Sequence, residues 1–317
     1  MSTLSVVLSV YNEEKHLEDA LKSIKGLADE IIIVDNESTD KTAQIAKRYT
    51  KNIFEHKNTP NSLNTTKNYG FSKATGDWIL SLDADERVSL ELAEEIKSVI
   101  STAGSLRNFS QPIDVSQTSV NGYWFPRKNI VFGKWIQHGI WYPDKQLRLF
   151  RRGSGKFPEK HNHEYLEVAG ELAELQNHLI HQNYQTIVQF VDKMNHTYTD
   201  NEAEVLLASG KKLEWLDAIR MPASDFILNF FRRQSYKDGL HGLILSLLQA
   251  FYALLVFAKA WEKQGFWEYD SKNFVTDVKS ELREKGKEFS WWYTKELVPW
   301  FLKPKQIIKR IINASTH

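Results

Sequence analysis

The chain reads as an α/β protein built on a parallel, doubly wound sheet, and three observations predict this. Short apolar runs alternate with segments of helical periodicity, at the spacing of strand–helix units. Three of these runs end in polar turns, at Ser9-Val10-Tyr11-Asn12, Asp35-Asn36 and Asp83-Ala84-Asp85. In a parallel sheet such ends share one edge, where ligands bind. The third run, Trp78, Ile79, Leu80 and Leu82, is apolar almost without interruption, as a strand covered on both faces requires.

Leu4 to Val10 is the first buried strand. Asn12 is suited to cap a following helix, with Glu13 and Glu14 in its first turn. Leu17, Ala20, Leu21 and Ile24 recur at helical spacing and Gly26 ends that helix. Glu30 to Asp35 is a second strand. A capping turn, Asn36 to Asp40, leads into a helix reaching about Tyr49, and Asn52 to Glu55 is a short third strand. After the polar loop His56 to Ser62, Asn64 to Lys73 reads as a helix and Gly76 opens the fourth strand.

That fourth strand organises the rest. Asp83 and Asp85 place two carboxylates one residue apart just past its end. Two readings are open: an acidic cap for a helix starting near Ser89, or a site for Mg²⁺ or Mn²⁺, hard cations held by carboxylates and substrate phosphates. The sequence has no G-x-G-x-x-G and no G-K-[ST] loop, so phosphates are not cradled by a glycine-rich turn. A metal at Asp83 and Asp85 would supply the neutralisation instead.

At 317 residues the chain has room for one large domain or a domain with an appendage. The formal net charge of +1 gives no nucleic-acid footprint, and the absence of cysteine excludes disulfides, thiolate catalysis and cysteine zinc sites. The run Leu4 to Val10 is too short for a secretory leader and lacks a basic flank.

Four motifs then carry a resemblance. Ser-Val-Val-Leu-Ser-Val-Tyr-Asn-Glu-Glu, Ile-Val-Asp-Asn-Glu-Ser-Thr-Asp, Thr-Lys-Asn-Tyr-Gly and Ala-Thr-Gly-Asp-Trp-Ile-Leu-Ser-Leu-Asp-Ala-Asp-Glu occur in the order and spacing of glycosyltransferase family 2. The resemblance implies a GT-A fold and inverting transfer of a sugar from a nucleotide-sugar. It implies that Asp35 reads the nucleobase and that Ser9, Tyr11 and Glu13 line the donor pocket. Lys67 would approach the diphosphate, and Asp83 and Asp85 would touch the ribose and the metal-bound diphosphate. The family's usual Asp-Asp-Gly-Ser is Asp35-Asn36-Glu37-Ser38 here, a glutamate where a turn glycine is common.

After Ser101 the pattern breaks. Ser101 to Ser119 reads either as a cover over the site or as a solvated insertion. Gly122 to Arg127 and Pro143 to Arg152 read as strands. Arg148 suits either a bidentate phosphate contact or a surface salt bridge. Between these strands Trp135, His138, Trp141 and Tyr142 combine rings with hydrogen-bonding groups, as a sugar-binding surface or a mixed core does. The run Trp-Tyr-Pro-Asp-x-Gln-Leu-Arg-Leu-Phe-Arg-Arg followed by His-Glu resembles the lipopolysaccharide-core glucosyltransferase subgroup. That likeness implies Glu164 as the base that deprotonates the acceptor hydroxyl, with Asp144 as the alternative, and His163 as a metal or phosphate contact. His178 and His181 lie in an apolar segment and read as structural.

Gln185 to Trp215 reads as helix. His241 to Ala258 carries no formal charge, is flanked by Lys237 and Lys259, and has His241, Ser246 and Gln249 along one stripe. At this length it could span a membrane, pack as a buried helix or lie in a membrane surface, and the stripe and basic flanks favour the last. Trp291, Trp292, Tyr293, Trp300 and Phe301 among Lys295, Lys303, Lys305, Lys309 and Arg310 suit an anionic headgroup layer. The chain therefore divides into a GT-A domain at 1–183, a helical extension at 184–238 and a membrane-associating region at 239–317. The expected function is transfer, from a UDP-linked donor, to a hydroxyl of a lipid-linked glycan such as a lipopolysaccharide core. It would occur at the cytoplasmic face of the inner membrane, by a peripheral or monotopic protein. The alternatives are a polyprenyl-phosphate glycosyltransferase, which needs no base, and a non-catalytic nucleotide-sugar binding protein.

Overall fold

Strand β1 (Leu4–Val10) has the composition of a strand buried on both faces, and its odd and even positions serve two different cores. Leu4, Val6, Leu8 and Val10 join one apolar cluster and Val7 joins another. Each fully buried aliphatic side chain of this kind contributes about 1.5–3 kcal/mol. The protein is described from a computed structural model, for residues 2–58, 63–101, 120–158, 165–210, 212–269 and 271–298. It divides into two units, Met1–Ile130 with Pro143–Asn183, and Val131–Tyr142 with Tyr184–His317.

In the first unit the chain runs through α1 (Leu17–Ser23), β2 (Glu30–Asp35), α2 (Thr42–Ala46), β3 (Ile53–Glu55), α3 (Leu63–Lys73), β4 (Trp78–Ser81), β5 (Glu86–Val88), α4 (Leu90–Ser101) and β6 (Val120–Val131). After β7 (Lys134–Trp135), which falls in the second unit, come β8 (Asp144–Arg151), β9 (Gly155–Lys156), β10 (Glu167–Val168), β11 (Glu171–Glu174) and β12 (Leu179–Tyr184). The sheet order is β3-β2-β1-β4-β8-β6-β12-β5. It is parallel from β3 to β4 and turns antiparallel at β8. Helices cover both faces. Leu17, Leu21 and Ile24, together with Leu92, Ile96 and Ile100, pack on the Leu4 face; Phe71 and Ala74, with Phe150 and Phe157, pack on the Val7 face.

Several local expectations change. Asn12 does not cap α1. It sits at φ 53° and its carboxamide turns sideways to the neighbouring loop, so α1 starts only at Leu17, without a side-chain cap. Ser89 does cap α4, accepting from the Leu92 N–H at 3.1 Å.

The second unit is helical. Helix α5 (Ile187–Lys193) passes through a π-turn, Met194–Tyr198, into α6 (Thr199–Ala208). The single helix expected from Gln185 to Trp215 is therefore interrupted at Met194 and closed by Gly210 at φ 72°. Then come α7 (Asp217–Ile227), α8 (Leu240–Lys263) and α9 (Phe274–Glu296). Helix α8 is long and apolar enough to cross a membrane by length and composition. Its polar stripe points into the protein: His241 Nε2 lies 3.2 Å from the Phe132 carbonyl and Ser246 Oγ donates to the Gly242 carbonyl. Leu240, Ile244, Leu247, Phe251 and Leu254 are exposed; they recur at helical spacing and form one outward apolar face.

Candidate active site

The register places the expected turns together. Val10 pairs with Asp35 across β1 and β2, and Val7 pairs with Ser81 across β1 and β4. The three polar turns that follow these strands therefore open on one edge of the sheet.

The first two turns are tied to each other. Asn12 Oδ1 accepts from the Thr39 N–H at 2.8 Å, and Ser38 Oγ accepts from the Asn12 N–H at 3.0 Å. Asn36 Nδ2 donates to Ser9 Oγ at 3.0 Å and to the Val10 carbonyl at 3.2 Å. The Glu13 N–H donates to Thr42 Oγ1 at 2.7 Å. Asp35 is buried and accepts from the Ser38 N–H at 3.1 Å. Glu37 adopts φ 61°, so the turn keeps the left-handed backbone that a glycine would take, and its carboxylate accepts from the Asn58 N–H at 3.1 Å. Tyr11 is exposed at this edge.

The third turn carries a chain of charges. Asp83 Oδ1 receives Lys67 Nζ at 2.7 Å and Asp83 Oδ2 receives an Arg148 nitrogen at 2.5 Å. The same Arg148 nitrogen reaches Glu86 Oε1 at 3.1 Å. Arg127 links Glu86, at 3.3 Å, to Asp144, at 2.7 Å. Asn129 and Gln146 also donate to Asp144, at 2.9 and 2.7 Å. Three carboxylates and three cations are thereby paired in a largely buried place, where an unpaired charge is costly. Burial pushes the Asp83 carboxyl up, but the Arg148 guanidinium and then Lys67 outweigh it and hold the group well below the usual carboxylate range. For Asp144, burial is likewise outweighed, mainly by Arg127, and its pKa is lowered.

Asp85 has a different neighbour. His181, on β12, brings Nε2 to 3.3 Å from Asp85 Oδ2. Its Nδ1 lies 2.6 Å from Asn129 Oδ1. Because Asn129 Nδ2 donates to Asp144, the Asn129 oxygen must face the imidazole and accept from it. Nδ1 therefore carries a proton, and Nε2 faces a carboxylate. Either a proton on Nε2 or a cation between the two groups satisfies this contact. Metal-binding histidines are oriented in this way, with the second nitrogen held by an amide or carboxylate oxygen. The donor set fits Mg²⁺ or Mn²⁺, although no group of three or more such side chains occurs among the described residues.

The structure thus gathers Lys67, Asp83, Arg148 and Asp144 into one network and joins Asp85 to His181. Ser9, Tyr11, Glu13 and Asp35 lie at the ends of β1 and β2. His163 and Glu164 lie outside the described residues. Sequence reasoning missed His181 and Arg127. His181 looked structural because its strand is apolar, and only the pairing of β12 with β5, His181 opposite Glu86, brings it to the acidic turn.

An α/β sheet edge carrying two joined turns and an Asp-Ala-Asp turn is the arrangement of the GT-A class of glycosyltransferases. Residues 5–162 match the model for Glycosyl transferase family 2, and the chain belongs to that family. An uncharacterised glycosyltransferase of Rickettsia typhi is 26% identical over 299 residues, 90% of this chain and 97% of that protein. The lipopolysaccharide core biosynthesis glycosyltransferase LpsC of Rhizobium meliloti is 24% identical over 270 residues, 83% of this chain and 93% of that protein. Among solved structures, S. aureus TarS 1–349 in complex with UDP aligns with a TM-score of 0.41 at 16% identity, over 85% of this chain and 94% of that one. The mannosyltransferase PcManGT from Pyrobaculum calidifontis, in complex with GDP-Man and Mn²⁺, aligns with a TM-score of 0.40 at 15% identity, over 92% and 83%.

Proposed function

We propose that this glycosyltransferase moves a sugar, with inversion, from a UDP-linked donor to a hydroxyl of a lipid-linked glycan such as a lipopolysaccharide core. The observation that carries the reading is the sheet edge itself, where Asp35, Lys67, Asp83 and Asp85 gather around the turns after three parallel strands. Asp35 would hold the nucleobase, with Ser9, Tyr11 and Glu13 along the same pocket. Lys67 and Arg148 bring two cations to the turn that would face the diphosphate. Asp83, Asp85 and His163 would hold the divalent metal, and His181, whose Nε2 lies 3.3 Å from Asp85 Oδ2, would add a fourth donor. Such an ion, when bound, neutralises charge on the leaving nucleoside diphosphate. Glu164 would take the proton from the acceptor hydroxyl. Asp144 is the second candidate, and its pairing with Arg127 makes it the weaker base.

The lipopolysaccharide acceptor is supported by the likeness to LpsC and by α8. An outward face of Leu240, Ile244, Leu247, Phe251 and Leu254 suits a helix lying in a membrane surface. This reading puts the protein at the cytoplasmic face of the inner membrane, peripheral or monotopic, with residues 239–317 as the attaching region.

The test is thermal-shift or calorimetric binding of a panel of nucleotide-sugars, with and without Mn²⁺. One UDP-sugar together with Mn²⁺ should stabilise the chain, by about 2.7 kcal/mol at a hundredfold excess over Kd. Asp85→Ala and His181→Ala should each remove the metal-dependent part. Absence of metal-dependent binding to any donor would refute the assignment.

A further inference from the structure

The second unit contains a cavity of about 650 Å³ built wholly from its own residues. That lies within the range of about 300–1,000 Å³ typical of small-molecule sites. Its apolar part includes five aromatic rings, Trp141, Tyr184, Phe190, Tyr198 and Tyr252, beside aliphatic and methionine side chains. Trp141 and Tyr184 meet edge to face, with centroids 6.0 Å apart at 90°. Its polar part comes from Glu202, Asp217, Asp225 and Gln249. Gln249 belongs to the polar stripe of α8, which an outward-facing amphipathic helix would have presented to solvent. Burial pushes the Asp225 carboxyl above its ordinary value, against the hydrogen bond from Gln249.

The charge of this lining is unbalanced. Arg220 is the one cation among the described lining residues, and it is already held. Its Nε and one terminal nitrogen bind the Glu281 carboxylate at 3.0 Å each, and its other terminal nitrogen lies 3.2 Å from Glu214. A phosphate or carboxylate entering the cavity would find three carboxylates and no uncommitted guanidinium among the described residues. A ligand with many hydroxyls and apolar C–H faces meets better partners. The rings offer flat amphipathic surfaces, the carboxylates accept from hydroxyl groups, and the Gln249 amide both accepts from and donates to them.

We propose that this cavity is a saccharide site for a neutral glycan segment, distinct in its residues from the donor pocket. It would hold a sugar of the glycan being extended, and only the biological source of that ligand rests on the proposed transfer. The aromatic side chain of Trp141, which the sheet-edge site does not use, then has a role.

The test uses the full chain and four probes: glucose, galactose and lactose as neutral ligands, and glucuronate as the anionic one. Saturation-transfer NMR and calorimetry would follow binding. At least one neutral sugar should bind, and glucuronate should bind about tenfold more weakly or worse. Trp141→Ala and Asp225→Ala should each weaken the neutral ligand by about tenfold or more. Tyr252→Phe keeps the ring and removes one hydroxyl, so it guards against a misfolded Trp141 variant and should still weaken binding several-fold. UDP binding in the presence of Mn²⁺ should be unchanged in all three. The inference is overturned if no neutral sugar binds, if glucuronate binds as tightly, or if the three variants bind like the wild type. Loss of UDP binding with sugar binding retained would instead defeat the donor assignment and leave this site standing.

Discussion

Asp83 neutralises two buried cations at once, and this makes it a structural residue as well as a candidate ligand. Lys67 and Arg148 each approach one of its oxygens. Asp83→Asn leaves a neutral amide between them, and breaking a buried ion pair from one side costs about 3–5 kcal/mol. Urea unfolding at neutral pH should show a loss of that size, and a loss under about 1 kcal/mol would mean the network is solvated rather than buried. The pH dependence has a definite sign. The folded pKa of Asp83 is depressed below the ordinary value of about 3.9. Its stabilisation is therefore fully present above that value and is lost as pH falls through the folded pKa. The gap between wild type and Asp83→Asn should accordingly persist at neutral pH and narrow only in strong acid. Asp83 and Asp85 were legible because two carboxylates just past a buried apolar strand fall where an α/β sheet binds its ligands. His181 was not, because nothing local distinguishes a histidine that satisfies a core from one whose ring meets an acid on a neighbouring strand's turn.

At the level of elements, the Thr-Lys-Asn-Tyr-Gly motif follows from how α3 meets the sheet. A Cβ on Gly70 would lie 2.6 Å from Val7 Cγ1 and 3.0 Å from Val34 Cγ2. The glycine lets the helix approach β1 and β2 closely, while Asn68 ties it to Phe157 through bonds of 2.8 and 2.9 Å. Lys67 is aimed at Asp83 by this docking. Gly70→Ala should cost about 1–3 kcal/mol by overpacking, and calorimetry should show weaker UDP binding although no ligand-facing atom has changed. Unchanged affinity would separate the docking of α3 from the aim of Lys67. The strands and the paired helices of this unit were readable from periodicity because each buries one consistent face. The π-turn after α5 was not, since Met194 to Tyr198 continues the helical pattern without a breaker. The orientation of α8 was not either: its apolar residues surround the helix, and only packing decides that His241, Ser246 and Gln249 turn inward.

For the whole molecule, the proposed attachment to a lipid surface would rest on apolar burial more than on charge. The net charge of +1 gives little general attraction. The lysines at the end of α8 are committed, Lys259 to Asp200 at 3.1 Å and Lys263 to Glu204 at 2.9 Å. A free lysine near an anionic surface contributes about 1 kcal/mol, and these two contribute less. The outward stripe of five apolar side chains has more to give: full burial is worth about 1.5–3 kcal/mol for a large exposed side chain, and each of these gives a part of that, since all but Leu240 are already about half buried. Binding to vesicles of phosphatidylglycerol and phosphatidylcholine should therefore fall only modestly as salt rises well above physiological strength, where exposed charges are screened. Leu247→Glu combined with Phe251→Glu should lower it by about tenfold or more, with the unfolding midpoint unchanged because both side chains are exposed. Alkaline carbonate should extract the wild type from native membranes, as it does a helix lying in the interface; retention would show that α8 crosses the bilayer. Vesicle binding abolished by salt and untouched by the paired substitution would move the attachment from α8 to basic groups elsewhere in the chain.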